Sequence, residues 1–411
     1  MTAPERPPPG GRLLLISEYY PPRIFGGGEV SALQLARGLA GRGFEVWVLT
    51  SGAAGLAEEE SVDGVRVVRR LVTGPSPHSH WNNVRRVLRL PPSIRREAER
   101  LTAARDFDAV FLLGATTVVP LRLPAPTVAV INFFPPFCPK GTLYFQERGE
   151  CDGCAPGKFV PCIVRSEHLG NNRMPWFLRY NPAFWQALYL QYLRRRRGLR
   201  GIDAFVAISG FVEQVLHRHG IPPERIVRIY NVAEIEDGDA VPRDLAPVLA
   251  GRRVVTFLGK LEKVKGPELA VRGFAAWRSG DDLLLLAGEG SLRRPLEALC
   301  ERLGIVDAVH FAGQVPAKYL PWIYRSSYAV VLPSQWPEPF SRIVMEAAYF
   351  RRPLLASDRG GNRDLPAEHL FSTPGELAEK LERPPVPDFA PYRPAANLDR
   401  FVELVRRLGG G

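Results

Sequence analysis

Lysine is scarce in this chain, at seven residues of 411 against 47 arginines. Methionine is scarcer, at three, and cysteine numbers five, far too few for a disulfide scaffold. Long apolar runs are missing as well. The longest uncharged stretch, Leu123–Pro139, holds Asn132 and five prolines, whereas a membrane-spanning helix needs about 20 mostly apolar residues. The opening MTAPERPPPGGR has no apolar segment of signal-peptide type. A GxGxxG fingerprint is absent, and the second apolar run ends Thr50-Ser51 with no acidic residue for a ribose, which argues against a dinucleotide-binding motif. These absences lead us to expect a cytoplasmic protein with reduced thiols. What remains is ordinary globular composition, 45% hydrophobic and 24% charged with net charge +11, which excludes disorder over most of the length. At about 150 residues per domain the length suggests two to three domains.

Residues 1–11 are rich in proline and glycine and read as a disordered leader. Arg12–Ser17 is a short apolar run of buried-strand type, Glu18–Gly28 a loop ending in three glycines, Glu29–Arg42 a helix with one apolar face, and Phe44–Thr50 the next strand. That βαβ order implies a parallel sheet. Similar runs recur at Ala109–Leu113, Thr127–Ile131 and Ala204–Ile208. The alternation resumes at Arg253–Leu258, Pro267–Trp277, Asp282–Ala287, Leu292–Leu303, Val309–Phe311, Tyr328–Leu332, Ser341–Phe350 and Pro353–Ser357. Between the halves, Ala233–Gly251 is acidic, then proline-rich, and lacks periodicity, as a linker would. The reading is two α/β domains, 12–235 and 240–390, followed by a tail at 391–411 that ends in a helix over Leu398–Leu408.

In open parallel sheets, ligands bind beyond the carboxyl ends of the strands, where helix N-termini aim N–H groups at anions. Three loops fit. Gly26-Gly27-Gly28 follows the first strand and opens a helix; a tight turn or a close ligand approach both account for it. Lys260 and Lys265 flank a strand-to-helix loop that ends Gly266-Pro267, a combination suited to a diphosphate or to a solvated turn. In Val331–Ala348 a buried strand ends at Pro333, Glu338 sits in the loop, Ser341 is placed to cap the next helix, and Glu346 lies in its second turn. Two carboxylates there suit a sugar hydroxyl and a ribose.

The spacing E-x7-E in PSQWPEPFSRIVMEAA resembles the donor-site signature of retaining glycosyltransferases of the GT-B fold, glycosyltransferase family four, the glycogen-synthase-like or group 1 enzymes. GGGEVSALQLARGLAGRGFEVWVLT, AISGFVEQVLHRHGI with RIYNV, FLGKLEKVKGPELAVRGF, LLLLAGEGSLRRPLEAL, VHFAGQVP and LLASDRGGNRDL follow the family's elements in order, over about residues 12–365. The resemblance implies two Rossmann-like domains facing across a cleft, with the C-terminal helix crossing back to the first. It implies a nucleotide-sugar donor (UDP-, GDP-, ADP- or TDP-linked) and a glycan, lipid-linked or small-molecule acceptor. It places the diphosphate on Lys260 and Lys265, the base edge on the backbone of Val315 and the ribose on Glu346. The donor sugar falls near Glu338 and the amides of Phe340, Ser341, Arg342 and Ile343, and Gly27 and Gly28 admit the diphosphate. No catalytic metal is implied, so Asp106-Phe107-Asp108 is not read as a metal motif. The chain departs from the pattern at Asn132, where relatives often carry histidine, at Ser341, where glycine is usual, and at Asp364, where glutamate is usual.

Two features fall outside that resemblance. Cys138, Cys151, Cys154 and Cys162 cluster with spacing C-x12-C-x2-C-x7-C, which suits either a tetrahedral structural zinc or free thiols. Arg194–Arg197 follow an aromatic helix, and Arg85, Arg86, Arg89, Arg95 and Arg96 add charge to the same domain. The alternatives are a solvated helix end and either attachment to an anionic surface at the inner face of a membrane or recognition of a lipid-phosphate acceptor; no nucleic-acid motif accompanies them. A sugar-transferring enzyme in polysaccharide biosynthesis, a catalytically silent nucleotide-sugar-binding module and a GT-B sugar-nucleotide epimerase are the functional readings. The intact Lys260, Lys265, Glu338 and Glu346 favour the first.

Overall fold

The computed structural model describes residues 10–74, 80–114, 116–169 and 172–409. The leader up to residue 9 and the side chain of Arg85 lie outside the described residues. The chain divides into two units, Met1–Ala233 with Tyr392–Gly411, and Glu234–Pro391.

The first unit is built on strands β1 (Arg12–Ser17), β2 (Glu45–Ser51), β3 (Glu59–Val62), β4 (Val65–Leu71), β5 (Ala109–Leu113), β6 (Thr127–Ile131), β7 (Ala204–Ala207) and β8 (Ile226–Arg228). They order as β8-β7-β6-β5-β1-β2-β4-β3. Every pair is parallel except β3 with β4. Leu13, Leu14, Leu15 and Ile16 are wholly buried, the continuous apolar run expected of a central strand covered on both faces. Helix α1 (Gly27–Gly41) follows β1. The antiparallel edge is a hairpin that the sequence reading missed. Its turn is Asp63-Gly64, both at positive φ, the two-residue geometry whose twist matches paired strands. Helix α2 (His80–Ala104) was read only as a run of arginines; Pro91 and Pro92 lie inside it. A proline removes a helical N–H, and here the Ser93 hydroxyl donates to Leu90 O (2.8 Å) while accepting from Val72 N (3.1 Å).

The C-terminal helix, Pro394–Gly409, packs on this first unit. Phe401 meets Phe111 edge-on at 6.0 Å, and Leu398 lies where a side chain on Gly38 of α1 would stand. Arg42 pairs with Asp399 and Tyr230 meets Tyr392 edge-on at 5.0 Å.

The second unit carries β9 (Val254–Leu258), β10 (Leu283–Ala287), β11 (Val309–Gly313), β12 (Ala329–Leu332), β13 (Leu354–Ser357) and β14 (Leu370–Phe371). All pair in parallel, in the order β11-β10-β9-β12-β13-β14. Counted along the unit that is 3-2-1-4-5-6, the Rossmann order. Phe257, Leu286 and Val331 from the sheet meet Phe274 and Leu377 in the core. The stretch read as a linker is partly built into this unit. A short helix, Ala246–Leu249, buries Leu245 and Leu249 against Val254, Leu285 and Ile323, because those two leucines stand one helical turn apart. Arg325 holds the acidic stretch before it, through Asp237 and the Gly238 carbonyl at 2.9 Å.

Candidate functional site

The strand order of the second unit reverses between β9 and β12, and the loops that leave their carboxyl ends carry Lys260, Lys265 and Glu338. These loops are pressed backbone against backbone. Gly266 has φ 66° and ψ 34°, and a Cβ there would overlap the Pro333 carbonyl oxygen. Gln335 N donates to Val264 O at 2.8 Å. A Cβ on Gly288 would overlap the Gly259 carbonyl, and one on Gly361 the Pro339 carbonyl. Glycine is required at these contacts because nothing larger fits.

Lys265 Nζ donates to Glu338 Oε1 at 2.7 Å. Glu338 is 5% exposed and also accepts from Ser334 Oγ. An ionised carboxylate so deeply buried needs its charge partner. Lys265 remains about a quarter exposed, at 26%, whereas Lys260 projects into solvent. Beyond the loop, helix α4 (Pro267–Trp277) begins at Pro267.

Helix α5 (Arg342–Tyr349) follows β12. Ser341 occupies its N-cap position, yet its hydroxyl makes no capping bond, contrary to the sequence reading: residue type alone does not aim the hydroxyl at the first-turn amides. Phe340 and Ser341 are buried, Ile343 half-buried. Glu346, one turn into the helix, accepts from Tyr324 OH at 2.7 Å and lies 3.3 Å from Arg342 Nη2. Burial pushes its carboxyl above the ordinary range, and Arg342 and the tyrosine hydroxyl offset part of that shift. Tyr324 is itself raised well above its usual value, first by burial and then by the Glu346 charge. Val315 follows β11 and packs beside Leu245, Leu249 and Trp322.

In the first unit the order reverses between β1 and β5. Gly26 N donates to Glu29 Oε2 at 2.8 Å, Gly27 opens α1, and a Cβ on Gly28 would stand 3.8 Å from Asn132 Nδ2. Gly114 faces the same amide, and a Cβ there would stand 3.5 Å from Asn132 Oδ1. Gly28, Gly114 and Asn132 thus gather at the carboxyl ends of the central strands.

Residues 25–237 match the family model described as Glycosyltransferase Family 4, and residues 247–382 match that of Glycosyl transferases group 1. The chain belongs to glycosyltransferase family 4. It is similar to an uncharacterised glycosyltransferase of Methanocaldococcus jannaschii, 24% identical over 85% of this chain and 81% of the relative. Among solved structures it is similar to sucrose-phosphate synthase from Thermosynechococcus elongatus, with TM-score 0.62, 18% identity and coverage of 97% of this chain and 94% of the other. The Anabaena protein HepE, solved with UDP-glucose, aligns at TM-score 0.57 and 16% identity over 97% and 95% of the two chains. These neighbours share the GT-B fold, and this protein is a glycosyltransferase of that fold.

Two contributions to the glycosyltransferase's second-unit site were missed from sequence. Tyr324 lies in an unremarkable helix, and only the β11–β12 crossover brings it to Glu346. Arg342 was expected to offer a backbone amide, and its guanidinium pairs with Glu346 as well. In the first unit, Asp106-Phe107-Asp108 lies at the entrance of β5, where Asp108 accepts from Arg12 N at 2.6 Å.

The arginine clusters divide. Arg194, Arg196 and Arg197 are exposed at the end of α3 (Pro182–Gly198). Arg195 turns inward beside Arg86 and Glu18; burial, and then the Arg86 charge, bring it down to about 10. Arg86 Nη1 lies 3.1 Å from Glu18 Oε1, and Arg23 stacks over Tyr19 at 4.8 Å. Arg86 and Arg195 therefore both act on Glu18, just beyond β1.

All five cysteines are free. Cys138, Cys151, Cys154 and Cys162 line one cavity of about 20 Å³. Burial, and then the other three cysteines, push the Cys154 thiol up to about 12. Among the described residues no group of three or more histidine, cysteine or acidic side chains is already drawn together as metal ligands.

Proposed function

We propose that this glycosyltransferase moves a sugar from a nucleotide-sugar to an acceptor hydroxyl with retention of anomeric configuration. The observation that carries the reading is the Lys265–Glu338 pair at the switch point of the second unit's sheet. Lys265 and Lys260 receive the diphosphate, and charge-assisted contacts of that kind are each worth about 1.5–3 kcal/mol. When phosphate takes the ammonium, Glu338 is left beside the donor sugar, where it orients the ring and stabilises developing positive charge. Glu346, held by Tyr324 and Arg342, accepts from the ribose hydroxyls. The backbone of Val315 addresses the base, and the amides of Phe340, Ser341, Arg342 and Ile343 face the sugar and phosphate. Gly27 and Gly28 leave backbone open to phosphate. Donors of charge aimed at a leaving diphosphate act by electrostatic preorganisation, so no catalytic metal is invoked. The departing phosphate takes the acceptor proton on the face where the new bond forms. UDP-glucose, bound by HepE, is the first donor to test.

The acceptor is a glycan, a lipid-linked sugar or a small molecule. Arg86 and Arg195, two cations beside Glu18, favour one bearing phosphate. Trp176, Phe177, Tyr180 and Leu190, exposed before or along the helix that ends in the exposed Arg194, Arg196 and Arg197, favour work at an anionic membrane surface. We propose that the association is peripheral; among the described residues no helix is long and apolar enough to cross a membrane.

The test is NMR of the first-formed product, from the donor that gives the largest thermal shift among UDP-, GDP-, ADP- and TDP-sugars. A retained anomer supports the reading; an inverted one, or sugar covalently trapped on Glu338, overturns it. Glu338→Gln should lower turnover by about a thousandfold, roughly 4 kcal/mol of barrier, and weaken donor binding little. Glu346→Ala should mainly weaken donor binding.

A further inference from the structure

The segment between β6 and α3 makes its own small structure, and nothing in the sugar-transfer chemistry uses it. One small cluster within it buries Phe159, Ile163 and Met174, and Phe134, Phe137, Leu143 and Tyr144 are buried as well. Its strands are pairs of two residues, Tyr144–Phe145 with Gly149–Glu150 and His168–Leu169 with Asn172–Arg173. Elements that short do not hold themselves together, and small units with little core are commonly stapled by disulfides or metal. No disulfide is formed.

At the centre are four sulfurs around one cavity about the size of a single atom. They come from different turns of the chain: Cys138 before the first two-residue strand, Cys151 and Cys154 after the second, and Cys162 from helix Pro156–Arg165. Their present bonds are weak ones: Cys151 Sγ donates to Gly153 O at 3.1 Å, and Cys162 Sγ accepts from Gln146 N at 3.5 Å and lies 3.9 Å from Ser166 Oγ.

The charges around the cavity carry the argument further. The first unit has two lysines among its many arginines, Lys140 and Lys158, and both are here. Lys158 lines the cavity itself, where its ammonium pairs with Asp152 at 3.1 Å and also feels the Cys151 and Cys154 sulfurs. Lys140 is 3% exposed, and its ammonium donates to the neutral Ser166 Oγ at 2.6 Å. Its charge is felt by the buried Glu147 carboxylate and by the Cys138 thiol, and no carboxylate lies within ion-pair distance of it among the described residues. Thiolates at the cavity would add to the negative charge that a buried ammonium needs nearby. Four thiolates around a divalent cation carry net charge −2, and second-shell cations and hydrogen bonds tune such a centre.

We propose that Cys138, Cys151, Cys154 and Cys162 bind one structural zinc ion, with Lys140 and Lys158 compensating the charge of the tetrathiolate. Each thiol gives its proton to solvent as its Zn–S bond forms, four protons per zinc, with no change of oxidation state. Zn–S bonds of about 2.3 Å place tetrahedral sulfurs about 3.8 Å apart, so the ion draws in side chains that now line the cavity more loosely. With all four positions filled by protein the ion is closed to substrate, and its free energy of binding goes into folding the insert.

Elemental analysis of the full-length protein, expressed with zinc in the medium and purified without chelator, decides the matter. One zinc per chain is expected. It should survive dialysis and be released stoichiometrically as a mercurial titrates the four thiols. Exchange into cobalt(II) should give the visible absorption of a tetrahedral tetrathiolate site, a readout that needs no variant to fold. Cys151→Ser should lose at least about nine-tenths of the metal, whereas Cys300→Ala, whose cysteine is buried in the second unit's core, should keep it. Zinc near zero with four titratable thiols, two disulfides found by mass spectrometry, or a cobalt spectrum lacking thiolate character would each overturn the proposal.

Discussion

The glycine loops of the two units differ in how much room they leave. In the second unit, side chains built on Gly266, Gly288 and Gly361 would overlap carbonyl oxygens of the neighbouring loop. In the first unit, a side chain on Gly28 would meet only the Asn132 amide at ordinary contact distance. The same residue type is therefore a packing requirement in one unit and an opening in the other. The contrast suits the proposed function, in which the second unit's loops grip the nucleotide and Gly28 leaves backbone open to phosphate.

Substitution tests that contrast most severely. Gly266→Ala should cost at least about 3 kcal/mol, since it adds a Cβ at positive φ and into backbone. Gly28→Ala should leave stability unchanged or raise it by up to about 1 kcal/mol, because alanine is the better helix former, while activity falls if phosphate approaches that backbone. Chemical denaturation of both variants checks this. Equal losses would erase the distinction.

A smaller effect separates Glu346 from an ordinary surface carboxylate. Its pKa is raised in the folded protein, so the fold favours its protonated form. That contribution to stability is complete below the unfolded value of about 4.5 and is lost as pH rises through the raised folded value. Glu346→Gln should therefore gain stability relative to wild type across that window, with the difference levelling above it. Donor affinity of the wild type should rise over the same window, as the carboxylate that accepts from the ribose ionises. Melting temperatures and titrations at stepped pH check both. A pH-independent difference between the two proteins would mean that Glu346 does not titrate as described.

The smallest effect on stability belongs to the exposed arginines of the first unit. Replacing Arg194, Arg196 and Arg197 with serine should weaken association with anionic vesicles by about 1 kcal/mol per residue at low salt and leave stability within about 0.5 kcal/mol. Arg195→Ser should instead lower stability, because that side chain is packed against Arg86 and Glu18. Cosedimentation with neutral and anionic vesicles separates the two.

Much of the sheet architecture was legible because its strands are continuous apolar runs. Arg12–Ser17, Ala109–Leu113 and Thr127–Ile131 are strands with the bounds read from sequence. The hairpin at Asp63-Gly64 was legible too and was passed over, its flanking strands being short and charged. Helix α2 was hidden by Pro91-Pro92, which local rules read as a break and which Ser93 accommodates. Of the candidate site, Lys265 and Glu338 stand 73 positions apart, and their pairing follows only from the sheet order that sets β9 beside β12. Tyr324 was beyond reach for the same reason, since its partner is chosen by a crossover and not by spacing. Ser341 shows the converse limit: the residue suits a cap, but its hydroxyl is turned elsewhere.

Calorimetric titration of the full-length enzyme with its preferred nucleoside diphosphate, wild type against Lys265→Ala, addresses the central claim most directly. If the second unit's switch point is the diphosphate site, removing one charge-assisted contact of about 1.5–3 kcal/mol should raise Kd by about ten- to a hundredfold, with the variant still folded by circular dichroism. A folded Lys265→Ala protein that binds with the wild-type Kd would place the diphosphate elsewhere and contradict the account.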